Sequence, residues 1–169
     1  MRRALLTLLL LTSSALPACT DEPAAVLGTG TDDWEPLGDG GSVPIEFGSQ
    51  GGFHVYASVR VRGIHPGTET GDTSDNPLTR FDLRMDDTSV VESRTGDRAF
   101  EPVPSPLLGG WTHELRGTRL VFDGLSDSEV TNETFTLTVF VVDRDGVEVR
   151  DSIQVSVTRD PFGQDNQGG

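Results

Sequence analysis

The sequence predicts an all-β antiparallel sandwich of seven to nine strands, and three observations carry that expectation. The stretch Thr134 to Thr158, TFTLTVFVVDRDGVEVRDSIQVSVT, alternates Val, Ile, Thr and Phe with polar residues on both sides of Asp143-Arg144-Asp145-Gly146, the pattern of a β-hairpin. A second stretch, Phe53 to Arg62, alternates as cleanly. Turn residues recur every ten or so positions, and no stretch shows a helical period.

Composition sets limits on function. The 169 residues carry 13 basic groups, all Arg, against 27 Asp and Glu, a net charge of -14. Nucleic acid as a partner is excluded on this balance, since its phosphates require a basic stripe. Hydrophobic residues make up only 34%, but the 20 Gly and 10 Pro fall mostly between the strand-like runs, which leaves those runs apolar enough for one core.

The chain starts Met1-Arg2-Arg3, continues through an apolar run and reaches Leu16-Pro17-Ala18-Cys19. A basic start, a short apolar stretch and a small residue before the cut describe a secretory signal peptide, 1–18, too short to span a membrane. Its end resembles the bacterial lipobox, with Pro17 a departure from the usual residue there. The resemblance implies that Cys19 becomes the first mature residue and carries lipid, palmitate included. The chain would then be anchored to a membrane of the bacterial cell envelope, facing the periplasm or exterior. As Cys19 is the single cysteine, no intrachain disulfide can form.

From Thr20 to Gly41 the sequence holds six acids, five Gly and no basic residue. Low hydrophobicity with one sign of charge predicts a disordered tether over 19–41, lifting the domain roughly 25 Å from the bilayer. Trp34 is its one large apolar side chain, free to dock on the domain, to meet a partner or to stay exposed.

The domain is expected over 42–160. Val43, Ile45 and Phe47 alternate in a short edge strand containing Pro44, and Gly48 to Gly52 turns the chain. Phe53, Val55, Ala57, Val59 and Val61 form the inward face of the next strand, leaving His54, Tyr56, Ser58, Arg60 and Arg62 on a wet face. Gly63 to Pro77 is a long acidic loop, a length associated with function or mobility. Leu78 to Met85 resumes with Phe81, Leu83 and Met85 inward; Thr88 to Arg94 and Ala99 to Val103 are weaker strands, the last interrupted by prolines. WTHEL and TRLVF follow, with Gly117 as a bend or a turn between them, and Leu125 to Asn132 leads into the hairpin. There, Asp151 shares the parity of Val149 and Ile153. An unpaired buried carboxylate is costly, so a bulge or an Arg partner is expected near it. The tail 161–169 is expected to be disordered.

This strand count and turn spacing point to the immunoglobulin-like type of sandwich. The last two strands, TLTVFVVDRDGVEVRDSIQVSV, also resemble the closing hairpin of PKD-type and cadherin-like domains. That resemblance implies architecture; the roles common there are adhesion, spacing and carbohydrate association. Taken whole, the chain resembles envelope lipoproteins that carry such a domain.

Candidate sites are few. His54, His65 and His113 are the candidate ligands for a transition metal, though no pair has a ligand spacing. Asp143, Asp145, Asp123, Asp127 and Glu129 are the oxygen-rich candidates for calcium, the one cofactor considered, although the turn itself calls for Asp and Gly. No nucleophile elbow or catalytic pair is visible. The sequon Asn132-Glu133-Thr134 is incidental behind a bacterial leader. Arg60, Arg62, Arg80 and Arg84 could line an anion site if their strands are neighbours. The expected function is a non-enzymatic binding module for a protein or glycan partner. The alternative is a hydrolase or metal-dependent enzyme assembled around the histidines.

Overall fold

The computed structural model describes residues 22–48, 52–104 and 109–159. The expected signal peptide over 1–18, Cys19 and the expected disordered tail over 161–169 therefore lie outside the described residues. Ten strands appear: β1 (Ala24–Thr29), β2 (Glu35–Pro36), β3 (Gly41–Phe47), β4 (Phe53–Arg62), β5 (Leu78–Met85), β6 (Thr88–Thr95), β7 (Glu101–Pro102), β8 (His113–Val121), β9 (Thr134–Val142) and β10 (Glu148–Arg159). Among the described residues one short α-helix, α1 (Asp127–Val130), lies between β8 and β9, closed by a reciprocal Ser126–Glu129 capping box.

Two layers enclose one core. The front layer runs β1-β4-β8-β7 with β2 on its edge, and the back layer runs β3-β10-β9-β5-β6. Strand order β1-β4-β8-β7 against β10-β9-β5 is the A-B-E-D over G-F-C arrangement of an immunoglobulin-like sandwich, with β6 added beyond β5. β3 changes layers: Gly41 to Ile45 pair with β10, and Glu46 and Phe47 pair with β4. The β3–β10 pairing is parallel, so the expected purely antiparallel ladder is corrected at one place. A parallel neighbour needs a long connection, and here almost the whole domain supplies it.

The inward sets meet as their alternation requires. Phe53, Val55, Ala57, Val59 and Val61 of the front layer join Phe81, Leu83, Phe135, Leu137, Val139, Val141, Val155 and Val157 of the back in one buried cluster. Phe122 bridges the layers, stacked on Phe53 at 5.1 Å and edge-on to Phe135 at 6.0 Å.

Four further expectations need correction. The first concerns the tether. Residues 24–29 form a core strand, with Ala24 paired to Arg62 and Gly28 to Ser58, and Leu27 is fully buried. The composition of 20–41, averaged over its length, conceals the apolar run Ala24 to Leu27, which takes up the free edge of β4. With β1 and β2 the sandwich has ten strands, one more than the upper end of the seven to nine expected.

The second is the wet face of β4. His54 and Ser58 are buried, Ser58 under the chain at Gly30, whose carbonyl it meets, and His54 edge-on against Tyr56. The third is Asp151. β10 pairs with β9 in unbroken register through Asp151↔Val139, and Asp151 Oδ2 accepts the Leu27 N–H at 2.8 Å. Neither a bulge nor an Arg is needed, because the carboxylate caps a donor on the outer edge of β1 and so clips the two layers together. The fourth is Gly117, which makes a bulge within one continuous β8: Ala57 faces Thr118 and Val59 faces Leu115, with Gly117 at φ 64°.

The long loop 63–77 is ordered by its own contacts. Thr73–Asp75 form a 3₁₀ turn, and buried Asn76 accepts the Thr68 N–H at 2.7 Å.

Candidate functional site

The most built feature of the surface is a strap, Gly30 to Pro36, lying over the outer face of β4 and β8. Gly28 makes it fit: a Cβ there would stand 2.2 Å from Trp34 Nε1, so only glycine lets the indole lie against the β1 backbone. From the other side the Arg60 guanidinium covers the Trp34 ring at 4.1 Å, a cation–π contact. Arg60 Nε also donates to Glu114 Oε2 at 2.8 Å, and Arg116 lies 3.3 Å from Glu114 Oε1. Arg116 continues to the Glu101 carboxylate and the Asp32 carbonyl. Ser58 completes the attachment by donating to the Gly30 carbonyl at 2.9 Å while accepting the Gly117 N–H at 3.1 Å. Glu114, 2% exposed, is thus buried with two arginines beside it.

Between this strap and β3 lies a groove of about 310 Å³. Asp32, Asp33, Glu35 and Glu46 line it, together with Tyr56, Pro44, Thr29 and Thr31. Among the described residues none of these four carboxylates takes a side-chain hydrogen bond or ion pair, so their charge faces solvent. The Tyr56 hydroxyl accepts from Arg119 at 3.4 Å at the margin. A second depression of about 390 Å³, lined by Asp86, Asp87, Thr134, Phe135, Thr136 and Gln154, has less polar variety and no strap holding it.

The histidines do not assemble. His54 is buried near the start of β4, edge-on to Tyr56 at 4.9 Å, and among the described residues its Nε2 has no hydrogen-bond partner. Burial, then Arg119, holds its pKa below the usual value against the opposing pull of Glu46. His65 and His113 lie at the opposite end of the sandwich. His65 accepts the Gly67 N–H at Nδ1, and His113 sits against Thr112 at 3.1 Å. His113 is also held below its usual pKa, by burial first and then by His65.

The calcium candidates are dispersed as well. Asp143 is buried, with Oδ1 accepting the N–H groups of Asp145 and Val147 and Oδ2 that of His65. Burial pushes its pKa up, but these three bonds outweigh it and the net shift is downward. Asp145 and Asp123 are exposed, Asp127 pairs with Arg159, and Glu129 caps α1. Among the described residues no three His, Cys, Asp or Glu side chains converge to hold a metal ion.

The arginine set divides between layers, because β4 and β5 are not neighbours. Arg60 joins the strap, Arg62 covers Trp111 at 5.0 Å, Arg80 lies over Phe140 at 5.6 Å, and Arg84 pairs with Asp82.

Reading the sequence missed the groove. Its one signal was Trp34, a large aromatic in a polar acidic stretch. No family model matches the chain, and comparison with curated proteins and with solved structures returns no match.

Proposed function

We propose that this chain is an envelope lipoprotein, lipidated at Cys19, whose sandwich is a non-enzymatic binding module with the strap groove as its recognition surface. The carrying observation is the groove itself: Asp32, Asp33 and Glu35 on a strap held by Trp34, Arg60, Glu114 and Ser58, facing Glu46 of β3, with no side-chain hydrogen bond or ion pair to these four carboxylates among the described residues. Fixed, unneutralised carboxylates beside an aromatic ring suit a basic segment of a protein partner, and the net charge of -14 steers such a partner inward. A glycan would find one tyrosine and little else to stack on.

The enzyme alternative has less support. His54 stands at the end of the sandwich opposite His65 and His113, and the carboxylate nearest His65, that of Asp143, is occupied by backbone donors.

The test uses the full chain extracted from membranes. Envelope proteins recovered with the wild type are compared with those recovered by a variant carrying Asp32→Asn, Asp33→Asn, Glu35→Gln and Glu46→Gln. These changes break no hydrogen bond among the described residues, so the fold should persist. Loss of a basic partner in the variant supports the proposal. An identical set of recovered proteins, or recovery of glycan alone, overturns it.

A further inference from the structure

We infer that the end of the sandwich where the chain enters lies against the bilayer surface, with Trp111 and Arg62 at the lipid interface and the strap groove directed away from it. This rests on lipidation of Cys19. The expected tether would have left the domain free to tumble, but β1 begins at Ala24, and the Arg62 Nε already holds the Glu22 carbonyl at 3.2 Å. Only three peptide steps separate Cys19 from Glu22. Even fully extended they reach roughly 11 Å at 3.3–3.6 Å per residue. The headgroup region of one leaflet is itself about 5–8 Å deep, the difference between a bilayer of about 40–45 Å and its 30 Å hydrocarbon core. A lipidated Cys19 therefore leaves almost no gap beneath the domain.

The groups at that end are fixed by pairing. Ala24 lies opposite Arg62, the last residue of β4, and His113 lies opposite Val61 on the other side. Arg62 donates to the exposed Gly109 carbonyl at 3.3 Å, and its guanidinium covers the half-buried Trp111. Trp is suited to the headgroup level, with an apolar ring and one N–H donor, and an adjacent guanidinium suits lipid phosphate. The same end carries Glu22, held at Arg62, Asp145 of the turn that meets His65, and Asp75, paired with Arg144 of that turn; these carboxylates oppose attraction to an anionic surface. The short link, not electrostatic attraction, therefore enforces the orientation.

One consequence concerns the groove. Tyr56 lies six residues back along β4 from Arg62, about 20 Å at strand rise. The sandwich itself thus supplies nearly the spacing expected of a flexible tether, and it does so with a fixed direction.

The chain contains two Trp, which makes the orientation measurable. Full-length lipidated protein is reconstituted in phosphatidylcholine vesicles whose acyl chains are brominated, with Trp34→Phe leaving Trp111 as reporter and Trp111→Phe leaving Trp34. Trp111 should be quenched roughly twofold or more over Trp34, as its interfacial depth requires. A third chain, with about 20 Gly and Ser residues inserted between Thr20 and Asp21, gains about 25 Å of reach. It should still float with vesicles while losing the Trp111 quenching. Equal quenching of the two reporters in chains that float overturns the orientation alone, as does quenching that survives the insertion. Chains that fail to float overturn the lipidation reading and the orientation with it.

Discussion

Asp143→Asn should destabilise the domain substantially, and its contacts set the size of the effect. The carboxylate is 6% exposed and takes N–H groups from Val147 at 2.8 Å, Asp145 at 2.9 Å and His65 at 2.7 Å. An amide keeps one acceptor for the turn but presents its NH2 to the His65 N–H, donor against donor. Orphaning that N–H costs about 1–3 kcal/mol, and exchanging charge-assisted for neutral bonds at the other two costs about 1 kcal/mol each. The sum, about 3–5 kcal/mol, corresponds to a fall in Tm of roughly 10 °C at this chain length. Urea unfolding at pH 7 measures it. The pH dependence follows from the lowered pKa of Asp143. Its ionised form stabilises the folded state fully above the unfolded pKa of about 3.9, and that contribution disappears as pH falls through the lower folded value. The gap between wild type and variant should therefore be constant from pH 7 to 5 and close below about pH 4. A variant within about 0.5 kcal/mol of wild type at pH 7 would refute the reasoning, as would a gap that stays flat to pH 3. Because both oxygens already have partners, millimolar calcium should leave the wild-type Tm unchanged.

Three further outcomes are expected. Arg60→Ala removes the cover of Trp34 and one of two cations beside buried Glu114, so it should cost about 3 kcal/mol and raise the protease sensitivity of the strap, read by limited proteolysis. Asp151→Ala leaves the Leu27 N–H without its acceptor; a loss of about 1–3 kcal/mol in urea unfolding is expected, with faster amide exchange at Leu27. For His54, burial lowers the pKa in the folded state, so the unfolded chain takes up its proton at higher pH, near 6.5, and stability falls as pH drops from about 6.5 through the lower folded value. His54→Phe should reduce this acid sensitivity between pH 7 and 5, and an unchanged pH profile would contradict the assignment.

Much of the sandwich is legible in the sequence because alternation reports which side chains share a face. The β9–β10 hairpin, the inward sets of β4 and β5 and the short edge strands all follow from it. Alternation does not report what covers the other face. His54 and Ser58 read as solvent-facing, yet both are interior, Ser58 because the chain at Gly30, 28 residues away, lies over it. β1 was hidden for a related reason. Ala24-Ala25-Val26-Leu27 is too short to signal a strand by period, and its stability comes from a vacant edge of β4 and from the Asp151 clip, both distant in sequence. The parity of Asp151 was legible; its partner was not, since that partner is a backbone donor on β1. The groove shares this limit, because its carboxylates come from the strap and β3, brought together only by the fold.

The proposal that this is a lipid-anchored binding module depends first on its anchor, and intact-mass measurement of the chain extracted from membranes tests that most directly. The account predicts a mature chain beginning at Cys19, with added mass equal to its lipid, that shifts to the unmodified precursor in Cys19→Ala. A mature chain that begins elsewhere, or one that begins at Cys19 without added lipid, would contradict it.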